Sequence, residues 1–211
     1  MNIIDCHTHD PMALHAVIAQ DVDSFDPQPG RFYAVGLHPW RADALDLTAE
    51  RLLTLASHPQ VLAIGETGLD TLRGPALDVQ MRLMHIHMQV AQALGKPVVA
   101  HMVRTTSQLF AVWRQYDNTV PAIVVHGVRG NENVVKTLVE AGCYVSFGPH
   151  FNARAARLVP HDRLLIETDD SGLDIDTVAC AVAEALDLTP DALTRFAERN
   201  AARCFGTVAH Q

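Results

Sequence analysis

The stretch Leu94-Gly95-Lys96-Pro97-Val98-Val99-Ala100-His101 contains the unit whose repetition decides the fold of this chain. Gly95 and Pro97 end an amphipathic segment over residues 75–94, in which Leu and Met recur at helical spacing. The run at residues 97–101 has the length of a strand, and its near-continuous apolar character is typical of a strand buried on both faces. The stretch therefore predicts a helix followed by a strand of a parallel sheet.

The same alternation extends along the whole chain. Short apolar runs lie at residues 2–5, 32–36, 61–65, 97–101, 122–126, 143–147 and 163–167. Helical patterns lie at residues 75–94, 105–116, 131–141, 176–186 and 189–205. Alternating strands and helices predict an α/β fold with a parallel sheet.

The N-terminal part of the pattern is less regular. Residues 14–21 add a possible eighth strand, whereas residues 10–12 and 24–30 are too short to carry helices. The sequence therefore predicts a TIM-like (β/α) barrel of eight strands that is shortened near its N-terminus, with seven strands as the alternative. A length of 211 residues favours a single domain over residues 1–211.

Composition excludes several classes of protein. A hydrophobic content of 48% argues against intrinsic disorder, and a net charge of −8 argues against a broad basic surface for nucleic acid. The charge does not exclude a cleft in which bound metal ions supply positive charge. We expect no membrane span and no secretory signal, and the four cysteines form no C-x-x-C pair, which favours reduced thiols and a cytoplasmic location.

Imidazole and carboxylate groups lie at the C-terminal ends of the predicted strands. In a (β/α)8 barrel these ends open onto one face, where active sites lie, so we expect the groups to converge. They are His7, His9, Glu66, His101, His126, Glu167 and Asp169.

The spacing of these groups points to metal binding. His7 and His9 are two residues apart, so on an extended chain both side chains point the same way and can bind one ion. Glu66 directly follows a buried run, where a carboxylate is costly unless it is paired or coordinated. Asp169 offers a carboxylate that can also act as a base, with Asp170 as its rival. Each residue alone has an ordinary structural explanation, whereas the set favours a metal site.

Several short blocks cover most of the chain between residues 3 and 170. They are Asp5-Cys6-His7-Thr8-His9, Gly36-Leu37-His38-Pro39-Trp40, Gly65-Glu66-Thr67-Gly68-Leu69-Asp70, His101, His126 and Glu167-Thr168-Asp169. As a set, and in this order, they resemble the TatD family of metal-dependent hydrolases. The resemblance implies a TIM-like barrel of the amidohydrolase type, a two-metal site and a phosphodiester-cleaving DNase activity.

The resemblance also implies roles for individual residues. One ion would be held by His7, His9, Glu66 and Asp169, and a second, bridged by Glu66, by His101 and His126. Asp169 would also orient or deprotonate the attacking water, so Asp169 and Glu66 are the candidate catalytic residues. Mixed imidazole and carboxylate ligands favour two divalent ions such as Zn²⁺, Mn²⁺, Fe²⁺ or Co²⁺ over Mg²⁺.

The candidate substrate contacts are His38, Arg73, Arg104 and Arg129. Arginine suits bidentate contacts with phosphate, and His38 lies in a loop that Gly36 and Pro39 make rigid. Trp40 stands where the family usually has a second histidine. The predicted partner is DNA, as ends or single strands; the alternative is a small amide, lactone or phosphoester. A third hypothesis is an inactive scaffold with a structural metal. The sequence does not indicate an oligomeric state.

His85 and His87 repeat the spacing of the first histidine pair, but they fall within a helical pattern. Two residues apart on a helix do not share a face, so we expect neither to take part in function.

Overall fold

The computed structural model describes residues 2–44, 46–116 and 119–206. Within these residues eight strands follow one another in sheet order as a closed barrel, which confirms the predicted TIM-like fold. They are β1 (Asp5–Thr8), β2 (Ala16–Asp21), β3 (Phe32–Gly36), β4 (Val61–Asp70), β5 (Val98–Val103), β6 (Ile123–Val125), β7 (Tyr144–Phe147) and β8 (Leu164–Ile166).

The helices lie between and after these strands. They are α1 (Ala49–Ala56), α2 (Leu77–Leu94), α3 (Thr106–Trp113), α4 (Glu132–Glu140), α5 (Ala153–Ala156), α6 (Ile175–Ala185) and α7 (Pro190–Phe205), with a 3-10 helix at Pro39–Arg41. Residues 9–31, all of which are described, contain no helix, as the shortened N-terminal part predicts. The sequence did not predict α1 or α5. None of the helices in the described ranges is long and apolar enough to cross a membrane.

Local signals explain where the helices begin and end. Gly95 ends α2 in the left-handed region, at a φ of 61°. The side-chain oxygen of Asn131 accepts a hydrogen bond from Val134 N–H at the start of α4. The Thr189 hydroxyl caps α7 in the same way, and Pro190 occupies its first position.

Three strands extend further into polar sequence than predicted. Because β1 spans Asp5–Thr8, His7 lies within the strand and not after it. Likewise β4 continues to Asp70, so that Glu66 is a strand residue, and β5 continues beyond His101, the last residue of its predicted run, to Val103. The apolar runs mark only part of these strands, because the backbone stays extended beyond them through polar residues that are also buried.

By their internal contacts the residues form two compact units. One consists of residues 1–18 and 124–211, and in it β1 and β7 both pair with β8. The other consists of residues 19–123, and in it β4 pairs with both β3 and β5. A Cβ atom on Gly65 would lie 2.6 Å from the Val99 carbonyl oxygen, so glycine is required where β4 approaches β5. The single domain predicted over residues 1–211 stays a prediction.

Candidate metal-binding active site

The first unit contains a cluster of predicted metal ligands, here called the β1–β8 cluster: His7, His126 and Asp169. Each offers one ligand atom, and the three atoms lie within 4.8 Å of one another. His7 Nε2 lies 3.7 Å from Asp169 Oδ1, and the His7 and His126 ring centroids are 4.0 Å apart. His9, the other member of the predicted pair, places its Nε2 atom 3.6 Å from the same carboxylate oxygen.

The backbone around Asp169 explains how β8 delivers this carboxylate to the histidines. Asp169 N–H donates to the His7 carbonyl at 3.0 Å, and His9 N–H donates to the Asp169 carbonyl at 3.1 Å. Asp169 has a φ of 53°, in the left-handed region that aspartate tolerates better than most residues. The end of β1 and the residues after β8 are therefore held together at the site.

Two buried carboxylates, neither of which was predicted to be a metal ligand, support this cluster. Glu167 Oε1 lies 3.4 Å from His126 Nδ1, a contact that orients the imidazole ring. Burial alone raises the pKa of Glu167, but the charge and hydrogen bond of His126 hold it below its ordinary value. Asp5 accepts a hydrogen bond from the Thr168 hydroxyl at 2.6 Å, and burial raises the pKa of Asp5 to about 7.

The second unit contains a similar set, here called the β4–β5 cluster: His38, Glu66 and His101. Its three ligand atoms also lie within 4.8 Å of one another. Glu66 Oε1 is 3.0 Å from His38 Nε2 and 3.2 Å from His101 Nδ1. His38, predicted as a substrate contact, thus lies within hydrogen-bonding distance of a predicted ligand. The histidine precedes the 3-10 helix, and its Nδ1 atom accepts the Trp40 backbone N–H at 3.2 Å.

Asp70 orients two side chains around the β4–β5 cluster. Its Oδ2 atom lies 3.2 Å from His101 Nε2 and accepts the indole N–H of Trp40 at 2.7 Å. Burial raises the pKa of Asp70, but hydrogen bonds from Trp40, Leu72 N–H and His101 outweigh it and lower that pKa. A proton shared with Asp70 at Nε2 leaves His101 Nδ1 facing Glu66. No local pattern indicated this role, because Asp70 is only the last residue of the block Gly65–Asp70.

The three predicted arginine contacts lie in different surroundings. Arg129 lines a small cavity with Gly148, Phe151 and Asp169. The guanidinium carbon of Arg73 lies 4.7 Å from the ring centroid of Trp40. Arg104 is exposed just after β5, with a φ of 55°, and lies outside both clusters.

Each cluster has the donors that a divalent transition metal prefers. Two imidazoles and one carboxylate are typical ligands of Zn²⁺ and similar ions, and the spacing of the atoms allows all three to contact one ion. The residues present therefore fit the metal that the sequence predicts.

A cavity of about 500 Å³ lies beside the β1–β8 cluster. His9 and Asp169 line it together with four further aspartates and the apolar side chains of Leu14 and Leu173. This volume is in the range of small-molecule sites, which is roughly 300–1,000 Å³. A molecule bound here would contact two of the predicted metal ligands directly.

The sequence of the chain is similar to those of known metal-dependent hydrolases. Residues 17–206 match the family described as TatD related DNase. The uncharacterized metal-dependent hydrolase TatD of Mycobacterium tuberculosis is 29% identical over 202 residues, which cover 83% of this chain and 76% of that protein. The 3′-5′ ssDNA/RNA exonuclease TatD of Musicola paradisiaca is 33% identical over 144 residues, which cover 64% of this chain and 54% of the exonuclease.

The fold is also similar to that of solved structures. The crystal structure of YJJV, a TatD homologue from Escherichia coli, superposes with a TM-score of 0.84 and 21% sequence identity, covering 98% of both chains. An uncharacterized amidohydrolase from Saccharomyces cerevisiae superposes with a TM-score of 0.71 and 14% identity, covering 90% of this chain and 88% of that one. At these identities the likeness establishes the barrel fold.

Proposed function

The chain belongs to the TatD family of metal-dependent hydrolases, and from this premise we propose that it is a nuclease that cleaves phosphodiester bonds of DNA. The observation that carries the proposal is the pair of clusters, each with two imidazoles and a carboxylate within 4.8 Å. The exonuclease of Musicola paradisiaca supports nucleic acid as the substrate, although the matched segment spans only 54% of its length.

We propose the ligand assignment that the family resemblance implies. One ion is assigned to His7, His9, Glu66 and Asp169, and the other to Glu66, His101 and His126. The support is topological, since strand C-terminal ends of a (β/α)8 barrel open onto one face. Two divalent ions lower the pKa of a water and stabilise the attacking and leaving oxygens of a displacement.

The side chains of the protein supply the remaining functions. Asp169 would accept the proton of the attacking water; in support, its Oδ1 atom lies within 3.7 Å of the Nε2 atoms of both His7 and His9. Glu167 holds the ring of His126, and Asp70 holds that of His101, so each imidazole presents a defined nitrogen. Arg129 shares a cavity with Asp169, where its guanidinium can bind a phosphate oxygen.

A second candidate function is hydrolysis of a small amide, lactone or phosphoester by the same residues. The cavity of about 500 Å³ beside His9 and Asp169 favours it, because its size suits a small molecule. Its lining includes Asp10, Asp170 and Asp174, whose charges repel a polyanion on that side of the site. A cytoplasmic location, favoured by the unpaired cysteines, remains part of the proposal.

One panel of substrates tests both functions. Metal-stripped protein is supplied in turn with Zn²⁺, Mn²⁺, Co²⁺, Fe²⁺ and Mg²⁺, and is assayed on 5′- and 3′-labelled single-stranded oligonucleotides and on ester, lactone and amide chromogens. We expect metal-dependent shortening of the oligonucleotides, and Asp169→Asn is expected to reduce its rate by at least about 100-fold.

The matched control is Asp162→Asn, which makes the same change at the opposite end of β8 and should leave the rate unchanged. Turnover of small chromogens alone would replace the nuclease by the second function. A protein that binds metal and hydrolyses none of these substrates would contradict both.

A further inference from the structure

Trp40 and Arg73 form an exposed aromatic and cationic pair, here called the Trp40–Arg73 platform. Trp40 is 41% exposed, although tryptophan is usually largely buried. The guanidinium carbon of Arg73 lies 4.7 Å from the ring centroid, in the geometry of a cation–π contact. Neither side chain is needed to fill the core, so their exposure calls for another explanation.

Hydrogen bonds to Asp70 fix the indole of Trp40 and the backbone of Arg73. Asp70 accepts the indole N–H of Trp40 at 2.7 Å on one carboxylate oxygen and the backbone N–H of Arg73 at 3.1 Å on the other. The buried amide of Gln80 donates to the carbonyls of Asp70 and Pro75, at 2.9 and 2.8 Å. A ligand that stacks on the indole therefore loses little affinity to the ordering of that side chain.

The platform also adjoins the β4–β5 cluster. The ring centroid of Trp40 is 4.5 Å from that of His38 and 5.7 Å from that of His101. In a nucleotide the base lies one sugar away from its phosphate, so a phosphate at this cluster brings its base within reach of the indole. The imidazole that is usual in the family at position 40 offers a smaller ring surface than the indole.

Building on the nuclease activity proposed above, we propose that the Trp40–Arg73 platform stacks on the base of the nucleotide whose phosphate occupies the β4–β5 cluster. The contact would bind any of the four bases, because each presents a π face. It makes the platform a determinant of substrate class, since it favours nucleic acid over phosphoesters that lack an aromatic ring.

The first test measures binding without turnover. The chain has two tryptophans, so in a Trp113→Phe background the fluorescence reports on Trp40 alone. We expect deoxyadenosine 5′-monophosphate to quench this fluorescence in a saturable manner, and deoxyribose 5-phosphate, which has no base, to leave it unchanged. An equal response to both compounds, or no response to the nucleotide, would overturn the proposal.

The second test compares a normal oligonucleotide with one of the same length whose terminal nucleotides are abasic. Trp40→Ala is expected to raise KM for the normal oligonucleotide by about 5- to 150-fold, the range that follows from the loss of one stacked base. KM for the abasic oligonucleotide is expected to change little. Trp40→Phe should retain most of the preference for the normal substrate, because it keeps an aromatic face while losing the hydrogen bond to Asp70.

The two variants separate stacking from a purely structural role. If Trp40 acts only by holding Asp70, Trp40→Phe will match Trp40→Ala and both oligonucleotides will be affected equally, which would refute the platform. Arg73→Lys keeps the charge but loses the planar guanidinium. It should raise KM for the normal oligonucleotide more than KM for the abasic one. If the wild-type enzyme shortens neither oligonucleotide with any metal, the proposed nuclease function itself fails.

Discussion

Acidic pH is expected to destabilise this protein through His87, a histidine of α2 that is completely buried. Leu37 N–H donates to His87 Nε2 at 2.9 Å, so this nitrogen carries no proton. The proton is on Nδ1, which lies 2.8 Å from the Leu83 carbonyl oxygen. Protonation of Nε2 would place two N–H groups against each other in the core, and burial lowers the pKa of His87 to about 4.

The size of the effect follows from the two pKa values. The ordinary pKa of histidine is 6.5 and that of His87 is about 4, and one pKa unit corresponds to about 1.4 kcal/mol. Below pH 6.5 the unfolded chain takes up a proton that the folded chain does not. The free energy of unfolding therefore decreases as the pH is lowered. The loss reaches about 3 kcal/mol once the pH is below the folded value, and it is absent above pH 6.5.

Urea unfolding between pH 7.5 and pH 4.5 measures this loss, with His87→Gln as the reference. The glutamine carbonyl can still accept the Leu37 N–H but does not titrate. The stability of the wild type relative to this variant should therefore decrease by about 2.5 kcal/mol over the range. His87→Leu, which also does not titrate, should be less stable than His87→Gln by about 1–3 kcal/mol at every pH, because Leu37 N–H loses its acceptor.

A parallel pH dependence of wild type and His87→Gln would refute the lowered pKa of His87. Equal stability of the Gln and Leu variants would show that the bond to Leu37 contributes nothing. The hydrogen bond to His87 also bears on the candidate site, because it fixes the backbone at Leu37, which directly precedes His38.

Three further predictions concern other parts of the molecule. Thr189→Ala removes the hydroxyl that accepts the Ala192 N–H and should lower the free energy of unfolding by about 1 kcal/mol, measured in urea; no change would show that the cap is dispensable. A thiol reagent should modify Cys180 in the native protein and the three buried cysteines only after unfolding. The number of labelled thiols before and after denaturation measures this, and labelling of all four in the native protein would contradict it. A divalent ion at 100 times its Kd should stabilise the fold by about 2.7 kcal/mol in a thermal shift assay, and Glu66→Gln should reduce this gain, so an undiminished gain would exclude Glu66 as a ligand.

The strands were predictable where apolar sequence and extended backbone coincide. Residues 32–36 were predicted as a strand and form β3 with the same bounds, because four of the five residues of that run are buried. The prediction stopped too early at β4, where the apolar run ends at Gly65 but the strand continues to Asp70. Glu66 and Thr67 are polar yet buried, and local hydrophobicity cannot distinguish buried polar strand residues from a loop.

The candidate site shows a similar division. The spacing of His7 and His9 and the position of Asp169 after a strand predicted that these side chains would meet, and the structure places both histidines within 3.7 Å of Asp169 Oδ1. The roles of the supporting residues could not be predicted. Asp70 acts through His101, which is 31 positions away in the sequence. Such a bond depends on the register between two strands, which no local pattern encodes.

His87 illustrates the same limit. Its position in a helical pattern correctly separated it from a histidine pair that binds one ion, but the pattern did not show that its ring accepts the backbone N–H of a residue 50 positions away. Burial and partners are properties of the packed chain. They convert an ordinary histidine into one with a pKa of about 4.

The sequence by itself determined the order of the strands and of five of the seven helices, the barrel that this order implies, and the residue types available for a metal. It could do so because periodicity, capping and turn residues act over a few neighbouring positions. Only the tertiary structure decided which ring nitrogen faces which carboxylate, that His38 lies beside Glu66, and that Trp40 is exposed with Arg73 over its ring. These features depend on distances of 3–5 Å between residues that are far apart in the chain, and they are set when the core packs.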